Sequence, residues 1–154
     1  MNRIEALRYI VESHPGAAFV FSNGLTSREA NHYFGKSNHF YLLHGMGEAL
    51  SVGIGLATAQ ADVDVVVVDG DGNALMGMAA WSLLPQERLY YYVLHNGLYE
   101  TTGGQELPSL PVCAHVQVVS ITPGKTNTPN PDSPAKIADR FCNWLKNPPK
   151  DGKN

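Results

Sequence analysis

The apolar run Val65-Val66-Val67-Val68 ends in a tight acidic glycine turn, Asp69-Gly70-Asp71-Gly72-Asn73, and a second run, Leu89 to Leu94, ends in His95-Asn96-Gly97. If both runs are neighbouring parallel strands, Asp71 and Asn96 come to the same edge of one sheet, where a single hard cation could bind both. Magnesium takes six oxygens and usually draws only a few from protein, leaving the rest to phosphates and water. The Asp71 carboxylate, the Asn96 amide oxygen and a main-chain carbonyl just beyond, at Leu98, make three. Two diphosphate oxygens and a water complete the shell. A helix starting near Asn73 would aim free N–H groups at that diphosphate. The chemistry indicated is a metal that anchors a diphosphate.

The same turn opens like a calcium loop but continues with Ala74 where glycine is needed and Ala80 where the bidentate glutamate belongs, so an EF-hand is excluded. An isolated Asp-Gly-Asp-Gly turn after a buried strand needs no function. The spaced Asn96 is what favours the metal.

These residues need a scaffold, and the chain supplies one. Helices are expected at 3–13, after Thr26 (Thr26 and Glu29 having capping-box spacing), at 47–60, from Asn73 to about Leu84, and after Ser133-Pro134. Strands are expected at 17–22, 39–43, 64–69, 89–95 and 116–121. Val65 to Val68 and Tyr90 to Leu94 are apolar on both faces, as strands covered by helices on each side must be. Strands alternating with helices imply a three-layer α/β/α domain with a mostly parallel sheet. In such sheets ligands collect at the carboxyl ends of the strands. Four polar glycine turns fall there: Ser22-Asn23-Gly24, His44-Gly45-Met46-Gly47, Asp69 to Asn73, and His95 to Gly97.

Composition bounds the reading. At 154 residues, 44% hydrophobic and 16% charged, the chain fits one well-packed domain over 1–146, with 147–154 a frayed tail. Eleven basic against 14 acidic residues, with no basic run, argue against nucleic-acid binding. Cys113 and Cys142 form neither a CxxC pair nor a disulfide ladder, so a reducing cytoplasm is the default. The first residues read as an amphipathic helix rather than a signal peptide. Phe40 to Ala61 holds His44, Glu48 and four glycines, which indicates a strand and a buried helix and no membrane span.

Gly70-Asp71-Gly72 followed by a strand-ending Asn96 resembles the thiamine diphosphate signature GDG…NN, with His95 in place of the first asparagine. Gly24-Leu25-Thr26-Ser27-Arg28-Glu29, His44-Gly45-Met46-Gly47-Glu48-Ala49 and Thr101-Thr102-Gly103-Gly104-Gln105 are similar to the TG-TSRE, GSMGHA and STGGQ motifs of the phosphonopyruvate and sulfopyruvate decarboxylases. Pro123-Gly124-Lys125 and the helix after Ser133 resemble that family's closing segment. The likeness covers nearly the whole chain but only the diphosphate-binding half of such an enzyme. It therefore implies a separate pyrimidine-binding, α-type subunit that supplies the activating glutamate, and a hetero-oligomer.

The resemblance also implies roles. Met46 would bend the cofactor, and the His44 carbonyl would accept from its amino group. Asn23, Gly24 and Leu25 would line the diphosphate from one side, and Asn73 and Ala74 from the other. Gly45, Gly70, Gly72, Leu98 and Tyr99 would complete the cofactor site. Thr101 to Gln105 would be the substrate loop, with hydroxyls and glycine amides facing a small anionic group and Thr102 and Gln105 acting on the substrate; an ordinary polar turn is the alternative. Glu100 stands where relatives often carry an acid, or faces solvent. His95 is expected to contact backbone, while His14, His32, His39 and His115 take surface or packing roles. Glu48 replaces a histidine usual in phosphonopyruvate decarboxylases. Residues 106–115 replace a longer stretch containing a helix, so the sheet is expected to be trimmed there. The implied activity is decarboxylation of a 2-oxo acid with an anionic group on C3, phosphonopyruvate ahead of sulfopyruvate, using thiamine diphosphate and Mg²⁺. The alternatives are the small subunit of another thiamine enzyme, such as an acetolactate-synthase-like carboligase, or a non-catalytic diphosphate-binding remnant.

Overall fold

The computed structural model of the chain describes residues 1–148; the remainder of the expected tail, 149–154, lies outside the described residues. Helix α1 spans Arg3–Ser13, strand β1 Ala18–Phe21, α2 Leu25–Phe34, β2 His39–Tyr41 and α3 Ala49–Ala59. Strand β3 (Val65–Gly70) runs directly into α4 (Asp71–Met76), and a 3₁₀ turn covers Met78–Leu83. Then follow β4 (Leu89–His95), β5 (Val116–Ser120) and α5 (Pro134–Lys146).

All five strands pair in parallel in the order β2-β1-β3-β4-β5. Side chains alternate across the pleat. Phe19, Phe21, Val66, Val68, Tyr92 and Leu94 therefore pack with Ala6, Leu7 and Ile10 of α1 and Ala30 of α2. Val20, Val65, Val67, Tyr91 and Val93 pack on the opposite face with Ala49 and Leu50 of α3, Ala74 and Trp81. Phe141 and Trp144 of α5 join Ala18 and Val63 in a third cluster, against which Phe40 of β2 packs. This is the three-layer arrangement expected, and the chain reverses direction across the sheet between β1 and β3. Such a switch point leaves a crevice at the carboxyl ends of those two strands.

Several expected boundaries are corrected. Thr26 and Glu29 do not form a capping box: α2 starts at Leu25 behind Gly24, whose φ of 85° only glycine adopts easily, and both residues are buried inside the helix. The capping box that does form is at α1, where Asn2 Oδ1 accepts from Glu5 N and Glu5 Oε2 accepts from Asn2 N. The helix expected from Asn73 to Leu84 begins earlier, at Asp71, and stops at Met76. Gly77 lies so close to Gly47 that a Cβ on it would sit 2.1 Å from the Gly47 carbonyl oxygen, and the chain turns to 3₁₀ beyond this contact. Strand β2 ends at Tyr41 rather than at 43, and Ser133 occupies the N-cap of α5 without a side-chain bond. Tyr90 is 37% exposed rather than covered, its ring lying 4.6 Å from that of His14, where α1 has ended.

Residues 106–115 contain no helix, and this irregular crossover leads to β5, the edge of the sheet. Helix α3 has 11 residues, and no helix among the described residues is long and apolar enough to cross a membrane.

His39 takes a packing role. Its ring stands edge-on to Phe19 and Phe21, and Nδ1 lies 3.1 Å from the Tyr41 hydroxyl. Burial pushes its imidazole down to about 3, with the charges of Lys36 and Arg140 adding to the effect. The unfolded chain binds a proton here below about 6.5, whereas the folded chain resists until about 3. The contribution to stability is therefore complete above about 6.5 and is lost progressively as the pH falls towards 3. Urea unfolding of wild type and His39→Phe at about pH 7 and about pH 4.5 tests this: roughly 2–3 kcal/mol of the wild-type difference between the two pH values disappears in the variant. Equal pH dependence in both proteins contradicts the assignment.

Candidate active-site cleft

The crevice at the switch point opens into a cleft of about 180 Å³. Its walls come from the turn after β1 (Asn23, Gly24, Leu25, Thr26), the start of α4 (Gly70, Asp71, Gly72, Asn73) and the segment after β4 (Asn96, Leu98, Tyr99, Glu100, Thr101, Thr102). Arg3, Met46, Met76, Leu94 and Ile121 complete it.

Asp71 is the centre of the construction. Its side chain is 7% exposed, and the carboxylate accepts four hydrogen bonds. Oδ2 receives Asn96 N–H and Gly97 N–H, both at 2.8 Å, and His95 Nδ1 at 3.0 Å; Oδ1 receives Gly72 N–H at 2.9 Å. Because a carboxylate only accepts, His95 carries its proton on Nδ1. The expectation that His95 contacts backbone is thus corrected: it contacts the Asp71 side chain. The structure does bring the Asp71 and Asn96 turns together.

The Asn96 side chain forms a small turn of its own. Oδ1 accepts from Leu98 N–H at 2.9 Å, and Nδ2 donates to Glu100 Oε2, also at 2.9 Å. The Leu98 carbonyl accepts from Glu100 N–H at 2.8 Å. Each of these two carbonyl oxygens retains a second lone pair. Among the described residues no cluster of three or more His, Cys, Asp or Glu side chains could hold a metal. A cation in this cleft would have to rely on one carboxylate, neutral oxygens and whatever anion it meets, the donor set that suits a hard ion bridging to phosphate.

Two further observations fit a polar ligand. The amide oxygens of Asn23 and Asn73 are buried without a hydrogen-bond partner, and both residues line the cleft. An unsatisfied carboxamide can offer its oxygen to a cation or its NH₂ to a phosphate. At Gly24 a Cβ would meet nothing within 4 Å, so that wall stands open to an occupant.

Other expected residues lie elsewhere. His44 and Gly45 are exposed and do not line the cleft, and Met46, 48% exposed, stands at its rim. Ala74 is buried in the core. Gln105 is exposed outside the cleft, its carboxamide lying over Gly103. The glycine amides of the loop do not face an open anion site. The N–H groups of Thr102, Gly103 and Gly104 all point to the Tyr99 carbonyl, at 3.2, 3.3 and 2.9 Å. Glu48 is exposed at the N-cap of α3.

Four charged residues in and behind the cleft carry roles the sequence did not reveal. Glu100 does not face solvent: its carboxylate accepts from Arg3 Nη2 at 2.6 Å, Asn96 Nδ2 and Gly124 N–H. Arg3 also donates to Glu29 Oε1 at 3.2 Å and to the Gly124 carbonyl at 3.1 Å. Behind the cleft, Asp69 accepts from the Tyr91 hydroxyl at 3.1 Å, and burial raises its carboxyl to about 7, the Asp71 charge adding a smaller push. A buried polar residue aligned with a helix face is the only signal that could have pointed to Arg3 and Glu29.

Residues 16–142 match the family described as thiamine pyrophosphate enzyme, C-terminal TPP binding domain. A phosphonopyruvate decarboxylase from Streptomyces hygroscopicus is 40% identical over 108 residues, which cover 68% of this chain and 27% of that protein. The chain thus aligns with only about a quarter of the length of this relative. On the strength of the match to residues 16–142, joined to a cleft built from the turns after β1, β3 and β4, the chain belongs to the thiamine pyrophosphate enzymes and carries their C-terminal cofactor-binding domain.

Proposed function

We propose that this chain is the β-type subunit of a thiamine diphosphate- and Mg²⁺-dependent decarboxylase acting on a 2-oxo acid with an anionic group on C3. The first candidate is 3-phosphonopyruvate, converted to phosphonoacetaldehyde and CO₂, and the second is 3-sulfopyruvate. The observation that carries the reading is the joining of the Asp71 and Asn96 turns through Asp71 Oδ2, at the mouth of a cleft with two unsatisfied asparagine amides. The likeness to a phosphonopyruvate decarboxylase supports the choice of substrate.

When bound, the cofactor supplies the electron sink that decarboxylation of a 2-oxo acid requires. The residues of this chain do the rest. Asp71, Asn96 and the Leu98 carbonyl hold the cation. Asn23, Gly24, Leu25, Gly70, Gly72, Asn73 and the backbone at Ala74 bound the diphosphate. Tyr99 lies against Gly72 and keeps the turn in place. Met46 presents its thioether at the rim, with the backbone of His44 and Gly45 leading up to it, where an apolar side chain can shape the cofactor. Thr102 and Gln105 belong to the substrate loop, and the Arg3 guanidinium offsets the charge of Glu100 so that an anionic substrate meets less repulsion. A separate pyrimidine-binding subunit completes the site and supplies the acid that activates the cofactor ring; the short alignment to the relative is consistent with that division.

Co-expression with a pyrimidine-domain partner, followed by CO₂ release assays on both acids, tests the reading. The complex is expected to decarboxylate phosphonopyruvate and the chain alone to be inactive; turnover by the purified chain alone rejects the two-subunit assignment. Asp71→Ala separates structure from function. Without metal or cofactor it should lower stability by about 2–4 kcal/mol, because four donors lose a charged acceptor. In the complex it should abolish Mg²⁺-dependent thiamine diphosphate binding, measured by calorimetry, and unchanged binding removes Asp71 from the metal. Thr102→Ala and Gln105→Ala should each raise KM about tenfold, at a cost of about 1.4 kcal/mol in kcat/KM, with cofactor affinity unchanged. Loss of cofactor binding instead takes that loop out of the substrate role.

A further inference from the structure

The side-chain amide of Asn96 has two chemically different ends, and its neighbours decide which goes where. On one side stands Leu98 N–H, which can only donate; on the other stands the Glu100 carboxylate, which can only accept. The oxygen must therefore turn to Leu98 and the NH₂ to Glu100. Glu100 is itself fixed. Its Oε2 receives Arg3 Nη2 at 2.6 Å as well as Asn96 Nδ2, and Oε1 receives Gly124 N–H. Arg3, its side chain only 8% exposed, is held in turn by Glu29 and the Gly124 carbonyl. Glu29 is fully buried and also accepts from Thr126 Oγ1 at 2.6 Å.

The network places two carboxylates on one guanidinium in a largely dry setting. Such ionic clusters add little net stability compared with apolar packing of the same volume, since desolvation offsets the attraction. What this cluster does achieve is directional, because it leads through Glu100 to the Asn96 amide. Arg3 precedes the family-matched residues 16–142, so this support comes from outside that segment.

We propose that Glu100, held by Arg3, is a positioning residue that fixes the Asn96 amide with its oxygen available to a divalent cation, and so sets the metal affinity of the site. This rests on the reading of Asn96 as a cation ligand. A glutamine at position 100 would put an NH₂ among partners that all donate. The Asn96 amide could then turn its oxygen towards that NH₂, which would leave Leu98 N–H facing an NH₂ group. Outer-sphere partners of metal ligands typically change metal affinity on the order of 10–100-fold when replaced.

The test uses the assembled complex with Mn²⁺ and thiamine diphosphate, metal binding being read by water-proton relaxation. Glu100→Gln should weaken Mn²⁺ binding about 10–100-fold, and its kcat should recover at saturating Mg²⁺, a rescue that a purely structural defect would not show. Arg3→Lys, a milder change that keeps the charge but loses the forked contact, should shift affinity in the same direction by a smaller factor, and it serves if Glu100→Gln fails to fold. In the ¹⁵N-labelled wild-type chain without metal, the Asn96 side-chain amide protons should show a carboxylate-bonded, slowly exchanging signal that Glu100→Gln abolishes. If both variants bind Mn²⁺ as tightly as wild type, Glu100 is not a positioning residue and the proposal falls. If the wild-type complex binds no Mn²⁺ in the presence of thiamine diphosphate, the cation reading of the cleft fails first and takes this inference with it.

Discussion

The Asp71 carboxylate is where the ends of two strands become one surface. It sits at the first position of α4, directly after β3, yet three of its four donors belong to the turn that closes β4. A carboxylate this buried is tolerated only when donors surround it, and the backbone N–H groups of Asn96 and Gly97 in turn need an acceptor where the sheet ladder stops. Each side meets the other's requirement. The β4 turn is therefore fixed relative to β3 before any ligand arrives, and every residue from Asn96 to Glu100 inherits its position from that bond set. Asp69, two residues earlier, is buried more deeply still, and burial raises its carboxyl to about 7 although hydrogen bonds from Ser22, Tyr91 and Gly70 pull the other way.

The topology explains why this surface faces a crevice. Because β1 pairs with β2 on one side and β3 on the other, the connections leaving β1 and β3 depart to opposite faces of the sheet. The gap between them is lined by Asn23 and Gly24 on one side and Gly70 and Asp71 on the other. Ser22 Oγ, accepting from Gly70 N–H at 3.2 Å, joins the two lips at the base. The helix expected to direct its N-terminal dipole at a diphosphate turns out to be only six residues long, so individual groups lining the crevice, the Asn23 and Asn73 amides above all, matter more than a macrodipole.

Strand positions and the four polar turns were legible because they depend on local rules: β-branched runs covered on both faces, and glycine with Asn or Asp where the chain must turn. Boundaries set by distant contacts were not. Nothing near Gly77 announces that Gly47 will lie against it and end α4, and Thr26 with Glu29 imitates a cap whose role Gly24 takes by conformation alone. The site split in the same way. Asp71 and Asn96 could be paired from their matching places on adjacent strands. The Arg3–Glu29 and Arg3–Glu100 contacts span 26 and 97 residues, and no spacing rule reaches so far. The loop expected to meet substrate shows a third kind of failure: glycine amides look available in a sequence, but here one carbonyl, that of Tyr99, takes those of Gly103 and Gly104.

That last arrangement bears on how water could be kept from the reaction. The loop from Leu98 to Glu106 is closed on itself by an antiparallel bridge between its ends, by Tyr99 N–H to the Gln105 carbonyl at 2.8 Å, and by the three amides on Tyr99. It is also tied to the body of the domain through Glu100, which accepts from Arg3 and from Gly124 N–H, and swinging the loop over the cleft would break these contacts. The rim, meanwhile, exposes about half of Met46 and of Met76, apolar surface at the mouth of a polar pocket. A self-closing site would carry its lid on the loop and bury those thioethers under it. A site that is dried by a second surface would hold its loop still and leave the thioethers bare until that surface arrives. The anchored loop and the bare thioethers suit the second kind, so under the proposed function the exclusion of water, and with it the strength of charge interactions in the cleft, would fall to the partner surface.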